Sequence, residues 1–307
     1  MQTVRFIEDY LHLSNNINNN APEILFLQHI CSGGANVEEF FNETTVYRDN
    51  VYLDSPNGRF EKLEGIRTFA LRWLSDFEAE SGEVRPVIQT VANGRSVTEL
   101  EVWFHLKNTN EIKRVPMTLF ADLAPKGKME GLRIYFFFKF LPGATAYRKP
   151  VFKPRIMKPT ETVLMTDVMR YYYEQLHNYR PEALENIMDM VTDDCIYGGY
   201  RPYEDEPTAK GKDQIRKHYE DICSSVPHLN YIRFETIVDD GTRMAAEWTS
   251  IVTRKGMIAG RTSFCGCAIY DRDGTGKISS IRINDNAGYE AGIDLNSIND
   301  WDNFIDI

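Results

Sequence analysis

The chain has 307 residues, 42% hydrophobic and 26% charged, the composition of a globular protein of about two domains. Its 35 basic against 45 acidic residues give a net charge of −10, which argues against a nucleic-acid binder and against docking on anionic lipid. No apolar run is long enough to span a bilayer, and the first ten residues carry two acids and no long apolar stretch, so a cytoplasmic protein without a leader is expected.

In chain order, the first half yields its clearest strand at residues 97–105, where Leu100, Val102 and Phe104 alternate with Glu99, Glu101, Trp103 and His105. The apolar set is expected to face the helices. The run Tyr135-Phe136-Phe137-Phe138 reads as a strand buried on both faces. Prolines at 142, 150, 154 and 159 then punctuate a basic stretch and predict an extended linker over residues 148–161. In the second half, helical spacing predicts helices over 163–176, over 181–191 with Pro181 at its start, and over 212–223. Strands are predicted at 195–197, 231–238, 244–254, 262–270 and 278–283. The acidic tail, 291–307, carries an amphipathic pattern.

The two halves echo one another. Tyr47 ends a segment that matches the one ending at Tyr197, 150 apart. Gly65-Ile66-Arg67 answers Gln214-Ile215-Arg216, 149 apart. Val91-Ala92-Asn93-Gly94 answers Val238-Asp239-Asp240-Gly241, 147 apart, and Lys128 answers Lys277, 149 apart. Matches in one order at one spacing predict a duplicated domain: 1–147 and 162–290, joined by the linker. Helices first and strands after make each copy an α+β domain with about three helices on a curved antiparallel or mixed sheet.

Five cysteines (31, 195, 223, 265 and 267) form no C-x-x-C pair and read as reduced, buried thiols. Six histidines lack metal-ligand spacing, and no glycine-rich phosphate loop, nucleophile elbow or dinucleotide fingerprint occurs. No cofactor and no metal are therefore expected.

The segments T-D-D-C-I-Y (192–197), G-K-D-Q-I-R-K-H-Y (211–219) and G-K-I-S-S-I-R-I-N-D (276–285) resemble the SnoaL-like family of the nuclear transport factor 2-like superfamily. F-F-N-E-T-T-V-Y-R-D (40–49), L-E-G-I-R-T-F (63–69) and K-G-K-M-E-G-L-R-I-Y (126–135) give the first half the same plan. That superfamily includes ketosteroid isomerase and limonene epoxide hydrolase. The resemblance implies a cone-shaped domain with an apolar pocket, while the fold itself hosts enzymes and binders alike. It also places Asp49 where the isomerase carries its base, with Gly199 as the second-half counterpart. The isomerase's buried oxyanion aspartate falls on Leu119 and Gly266, which argues against steroid isomerisation. Tyr172 or Tyr173 falls near the oxyanion tyrosine, and His218 and Tyr219 take the place of a pocket-lining aromatic pair.

Carrying the spacing of 147 across, Leu100, Val102 and Phe104 become Glu247, Thr249 and Ile251, so an acid and a hydroxyl would face the second pocket. At 149, Phe136 becomes Asp285. Two carboxylates in an apolar cavity would have their proton affinities driven apart, one serving as acid and one as base. The opposite parity, with Ala246 and Trp248 inward and Glu247 in solvent, fits the same strand. Asp49 and Asp285 also suit solvated turns, and His218 an exposed helix face.

These expectations define a cofactor-independent acid–base enzyme of the isomerase, cyclase, dehydratase or epoxide-hydrolase type. Glu247, Asp285 and Asp49 are its candidate catalytic residues; Tyr173, His218, Tyr219, Thr249 and Phe264 are its candidate substrate contacts. The ligand would be small and apolar or amphipathic. The alternative is a binding or assembly module without chemistry. Aromatics on the outer sheet face predict pairing of the two halves as a pseudo-dimer, or of two chains.

Overall fold

In the computed structural model the chain separates into two units, Met1–Arg148 and Lys149–Ile307. The structure describes residues 13, 17–42, 51–136, 140–141, 166–177, 181–198, 209–225, 229–253 and 261–287, and the side chains of these except 177, 181, 221–225, 229–235, 249–253, 261–265 and 284–287. Asp49, the linker and the acidic tail lie outside the described residues, as do Phe137 and Phe138.

In the first unit, helix α1 (Pro22–Cys31) starts on a proline, whose missing N–H is one the first turn leaves unbonded anyway. Helix α2 (Lys62–Asp76) buries Ile66, Phe69, Ala70 and Trp73, a stripe at helical spacing. Around them run β1 (Tyr52–Ser55), β2 (Gly58–Glu61), β3 (Ala79–Ala92), β4 (Arg95–Leu106), β5 (Ile112–Ala124) and β6 (Lys128–Tyr135). The second unit holds α3 (Asp167–His177), α4 (Pro181–Met190), β7 (Val191–Gly198), β8 (Ala209–Lys210) and α5 (Lys212–Ser225). Its remaining strands are β9 (Leu229–Asp239), β10 (Arg243–Thr253), β11 (Arg261–Arg272) and β12 (Ile278–Ala287). Among the described residues no helix is long and apolar enough to cross a membrane.

Each unit carries one six-stranded mixed sheet. The orders are β2-β1-β6-β5-β4-β3 and β8-β7-β12-β11-β10-β9, the same permutation twice. In both, the first and last strands of the unit pair in parallel and the others antiparallel. Two of the irregularities coincide as well. A register shift between Asp122 and Leu123 has its counterpart between Asp271 and Arg272. Another, between Pro86 and Ile88 opposite Leu100 and Glu99, answers one opposite Trp248 and Glu247. Bulges re-aim every side chain beyond them, so their repetition fixes which positions correspond.

That correspondence differs from the sequence alignment at three places. At the β3–β4 turn, Asn93 and Gly94 both have positive φ (54° and 73°), the pattern of a type I′ hairpin. At the β9–β10 turn the positive φ falls on Gly241 alone (94°), the first central position, as in type II′. The two glycines therefore occupy different turn positions, and aligning them slips the following strand by one residue. The bulges equate Glu247 with Glu99, not with Leu100. In the first strand, Phe41 bridges to Met129 as Val191 pairs with Ile278, in keeping with the 150 spacing. Twelve residues later, however, Leu53 pairs with Leu132, where Tyr197, six residues after Val191, pairs with Ile281. Tyr197 thus answers Leu53 rather than Tyr47. The match of Leu119 with Gly266 is likewise off by two: Leu119 lies opposite Ile134 as Ala268 lies opposite Ile283.

One face of each sheet packs against its helices. Leu100, Val102, Phe104, Leu132, Ile134 and Phe136 belong to the first core; Met244, Ala246, Ala268, Tyr270 and Ile281 belong to the second. The opposite face repeats an ion triad. Asp122 accepts from Arg95 (3.2 Å) and Arg133 (2.9 Å), and Asp271 accepts from Arg243 (2.5 Å) and Arg282. This outer face is covered too, since Tyr135, Glu99 and Glu247 are all buried.

Candidate functional site: two pairs of tyrosine hydroxyls

The second core is built around aromatic residues from four elements. Helix α3 supplies Tyr172 and Tyr173, consecutive residues that both turn inward; α5 supplies His218 and Tyr219; β7 supplies Tyr197 and β11 Tyr270. Tyr172, Tyr173, Tyr219 and Tyr270 are each no more than 2% exposed. Their rings meet edge to face, with Tyr172 and Tyr270 centroids 5.3 Å apart and Tyr173 and Tyr270 5.8 Å apart.

A phenol this deeply buried requires a hydrogen-bond partner, and these four supply one another. The hydroxyls of Tyr172 and Tyr219 are hydrogen-bonded, and those of Tyr173 and Tyr270 lie 2.9 Å apart. The four thus form two hydrogen-bonded pairs. Each pair brings two hydrogens and its internal bond uses one of them, so each can donate a further bond. Burial raises the proton affinity of all four, holding each above the usual tyrosine value near 10. At neutral pH they are uncharged donors in a medium of low dielectric, where a hydrogen bond is electrostatically stronger than in water. His218 is half-buried at the side of this cluster, its ring 4.3 Å from that of Tyr197.

Of the residues expected at the site, Tyr173, Tyr219 and His218 are brought together here. Glu247 is not. Ala246 belongs to the core and Trp248 packs against it, so Glu247 between them points to the opposite face of β10, beside Cys267 and Thr236. Nor is it in solvent, at 1% exposed. The reason is the one-residue slip at the glycine turn, since a slip of one in a strand exchanges its two faces. Thr249, Phe264 and Asp285 have their backbones in β10, β11 and β12, with side chains outside those described. Asp49 lies outside the described residues altogether. Tyr270, Tyr197 and Tyr172 complete the set; Tyr270 was accessible from period two, standing one step of alternation beyond Ala268.

The first unit places a different polar group on its inner face. Glu23, in the first turn of α1, is fully buried. Its Oε1 accepts from Gln89 (3.1 Å), Ser96 (2.5 Å) and Thr98 (3.0 Å), while its Oε2 is buried with no hydrogen-bond partner. No sequence motif marked this residue, because the contact joins a helix to strands some seventy positions away.

Residues 169–281, from α3 into β12, match the SnoaL-like domain family. Solved structures similar to this chain include an NTF2-like protein of unknown function from Exiguobacterium sp. 255-15, at 11% identity over 40% of this chain and 98% of that one, TM-score 0.32. An LEH-like epoxide hydrolase from M. tuberculosis is similar at 17% identity over 38% of this chain and 77% of its own, TM-score 0.29. A protein with a ketosteroid isomerase-like fold from Catenulispora acidiphila is similar at 14% identity over 39% and 85%, TM-score 0.32. No curated protein matches the chain.

Proposed function

We propose that the second unit binds a small, largely apolar molecule through an oxygen atom that accepts from the tyrosine hydroxyls, and acts on it by acid–base chemistry without a cofactor. The observation that carries this is the set of four buried, neutral phenols on the inner face, hydrogen-bonded in two pairs. A carbonyl, epoxide or alcohol oxygen that gains negative charge during reaction is stabilised by such fixed donors, and more strongly where water is excluded. Isomerisation, cyclisation, dehydration and epoxide opening all develop charge on oxygen in this way. His218 is the described group on this side of the sheet able to accept and return a proton near neutral pH. The match of residues 169–281 to the SnoaL-like domain is in keeping with this class.

Hydrogen–deuterium exchange at the carbons flanking the carbonyl of cyclohexanone, followed by NMR, tests the reading. His218 would take the carbon-bound proton, the tyrosines would hold the enolate oxygen, and a deuteron would return to carbon. Exchange above the buffer rate, lost in His218→Gln and in Tyr172→Phe, is expected. A second reading, a binding module without chemistry, draws on the placement of Glu247 across the sheet from the tyrosines. It predicts saturable binding with exchange at the buffer rate.

A further inference from the structure

The carboxyl of Glu23 is not explained by packing. Three donors converge on Oε1, and Gln89 is itself held in place by the backbone N–H of Asn18, which donates to its side-chain oxygen at 2.9 Å. That nest matches an ionised carboxylate, which only accepts. Its donors are all neutral, and among the described residues Glu23 has no ion-pair partner. The second oxygen is sealed from solvent without a donor, a state that costs several kcal/mol for a buried charge unless something completes it. The positions equivalent to Gln89, Ser96 and Thr98 in the second unit are Ile237, Met244 and Ala246, all hydrocarbon and all buried. The fold therefore does not require a polar group there. The nest lies at the edge strand β3, and Val91, which pairs with Ser96, is 54% exposed. The neighbouring end of this face is open to solvent.

We propose that Glu23 anchors a second ligand site, on the inner face of the first unit, for a small apolar molecule that presents a hydrogen-bond donor to Oε2. The donor is a hydroxyl or a protonated amine on a hydrocarbon body, the body lying along the Leu27 and Leu100 side of the core. This site is independent of the tyrosine hydroxyls and selects the opposite polarity, a donor where the tyrosines select an acceptor.

The test uses the full chain and three probes of similar length: n-hexanol, n-hexylammonium and methyl pentyl ketone, titrated by calorimetry or ligand-observed NMR. In the wild type, at least one donor-headed probe should bind in a manner that depends on Glu23; hexanol alone, hexylammonium alone or both identifies which source of the donor fits. Glu23→Gln keeps the shape and an acceptor for the nest but turns the second oxygen into an NH2 group. It should weaken the donor-headed probe by about tenfold and strengthen the ketone. Val91→Trp, on an exposed position, should block the open end and abolish donor-probe binding while leaving the fold intact, and it serves if Glu23→Gln does not fold. Donor-headed binding that survives Val91→Trp, a Glu23→Gln variant with unchanged preference, or no binding by any probe would each overturn the proposal. In the last case a buried water is the partner of Oε2.

Discussion

The two inner faces are the instructive contrast in this molecule. Built on the same strand permutation and sharing two register shifts, they differ at matching positions. The first unit has Gln89, Ser96 and Thr98 around a carboxylate, and a small Ala121 on β5. The second has Ile237, Met244 and Ala246, and Tyr270 in place of that alanine. Polarity has moved across the face: from the β3–β4 edge in one unit to the helix–β11 side in the other. Each solution obeys the same rule, that a polar group taken out of water must find its partners locally. The carboxylate gathers hydroxyls and an amide, while the phenols bond one another. Backbone architecture thus leaves the chemistry of the inner face open, and a handful of substitutions sets it.

The largest effect should come from the feature the units share. Asp271→Ala removes the carboxylate that Arg243 and Arg282, both deeply buried, share, and is expected to destabilise the second unit by about 3–5 kcal/mol in urea unfolding. Asp122→Ala should cost less, because Asp122 and Arg95 keep 17% and 18% of their side-chain surface in solvent. Equal losses would break the idea that burial separates the two triads.

The feature that divides the units can be exchanged. Thr98→Ala removes one donor from Glu23, and Ala246→Thr inserts a hydroxyl among hydrocarbon. Each should cost about 1–3 kcal/mol, for opposite reasons. A neutral outcome at Ala246 would mean that its surroundings already offer a partner.

A smaller and more selective effect separates the units by pH. The four inner-face tyrosines have raised proton affinities in the folded state, so they contribute stability that is complete below their unfolded value near 10 and is lost as the pH rises beyond it. Their tyrosinate absorbance should appear only together with loss of the second unit's structure. Smooth ionisation in the folded protein would contradict their burial. The thiols of Cys31 and Cys195, both pushed up to about 12 by burial, should resist alkylation at neutral pH in either unit until it unfolds.

Much of the fold was legible in the chain. Period-two alternation marked β4; β9, β10 and β11 were foreseen to within two residues of their ends, while β12 runs four residues beyond its foreseen end at Ile283; the helix of residues 212–223 gains one short extension. The site was harder. Three consecutive tyrosines in α3 left open which of Tyr172 and Tyr173 turns inward, and both do, while His218 lies beside Tyr219. Glu247 was misplaced because a turn glycine looks the same in a type I′ and a type II′ hairpin while sitting one position apart. The shift of a single residue is invisible in composition and decisive for orientation. Glu23 could not be read at all, since its partners Gln89, Ser96 and Thr98 lie on strands that only the folded sheet brings beneath α1.

The central claim is that the buried tyrosine hydroxyls of the second unit hold an oxygen. The direct measurement compares the dissociation constants of acetophenone and ethylbenzene, two probes of nearly the same shape, for the wild type and for Tyr172→Phe and Tyr270→Phe. The ketone should bind about tenfold more tightly than the hydrocarbon, a difference of about 1.4 kcal/mol that disappears in both variants. Equal binding of the two probes by the wild type, or a ketone preference that survives loss of the hydroxyls, would contradict the account.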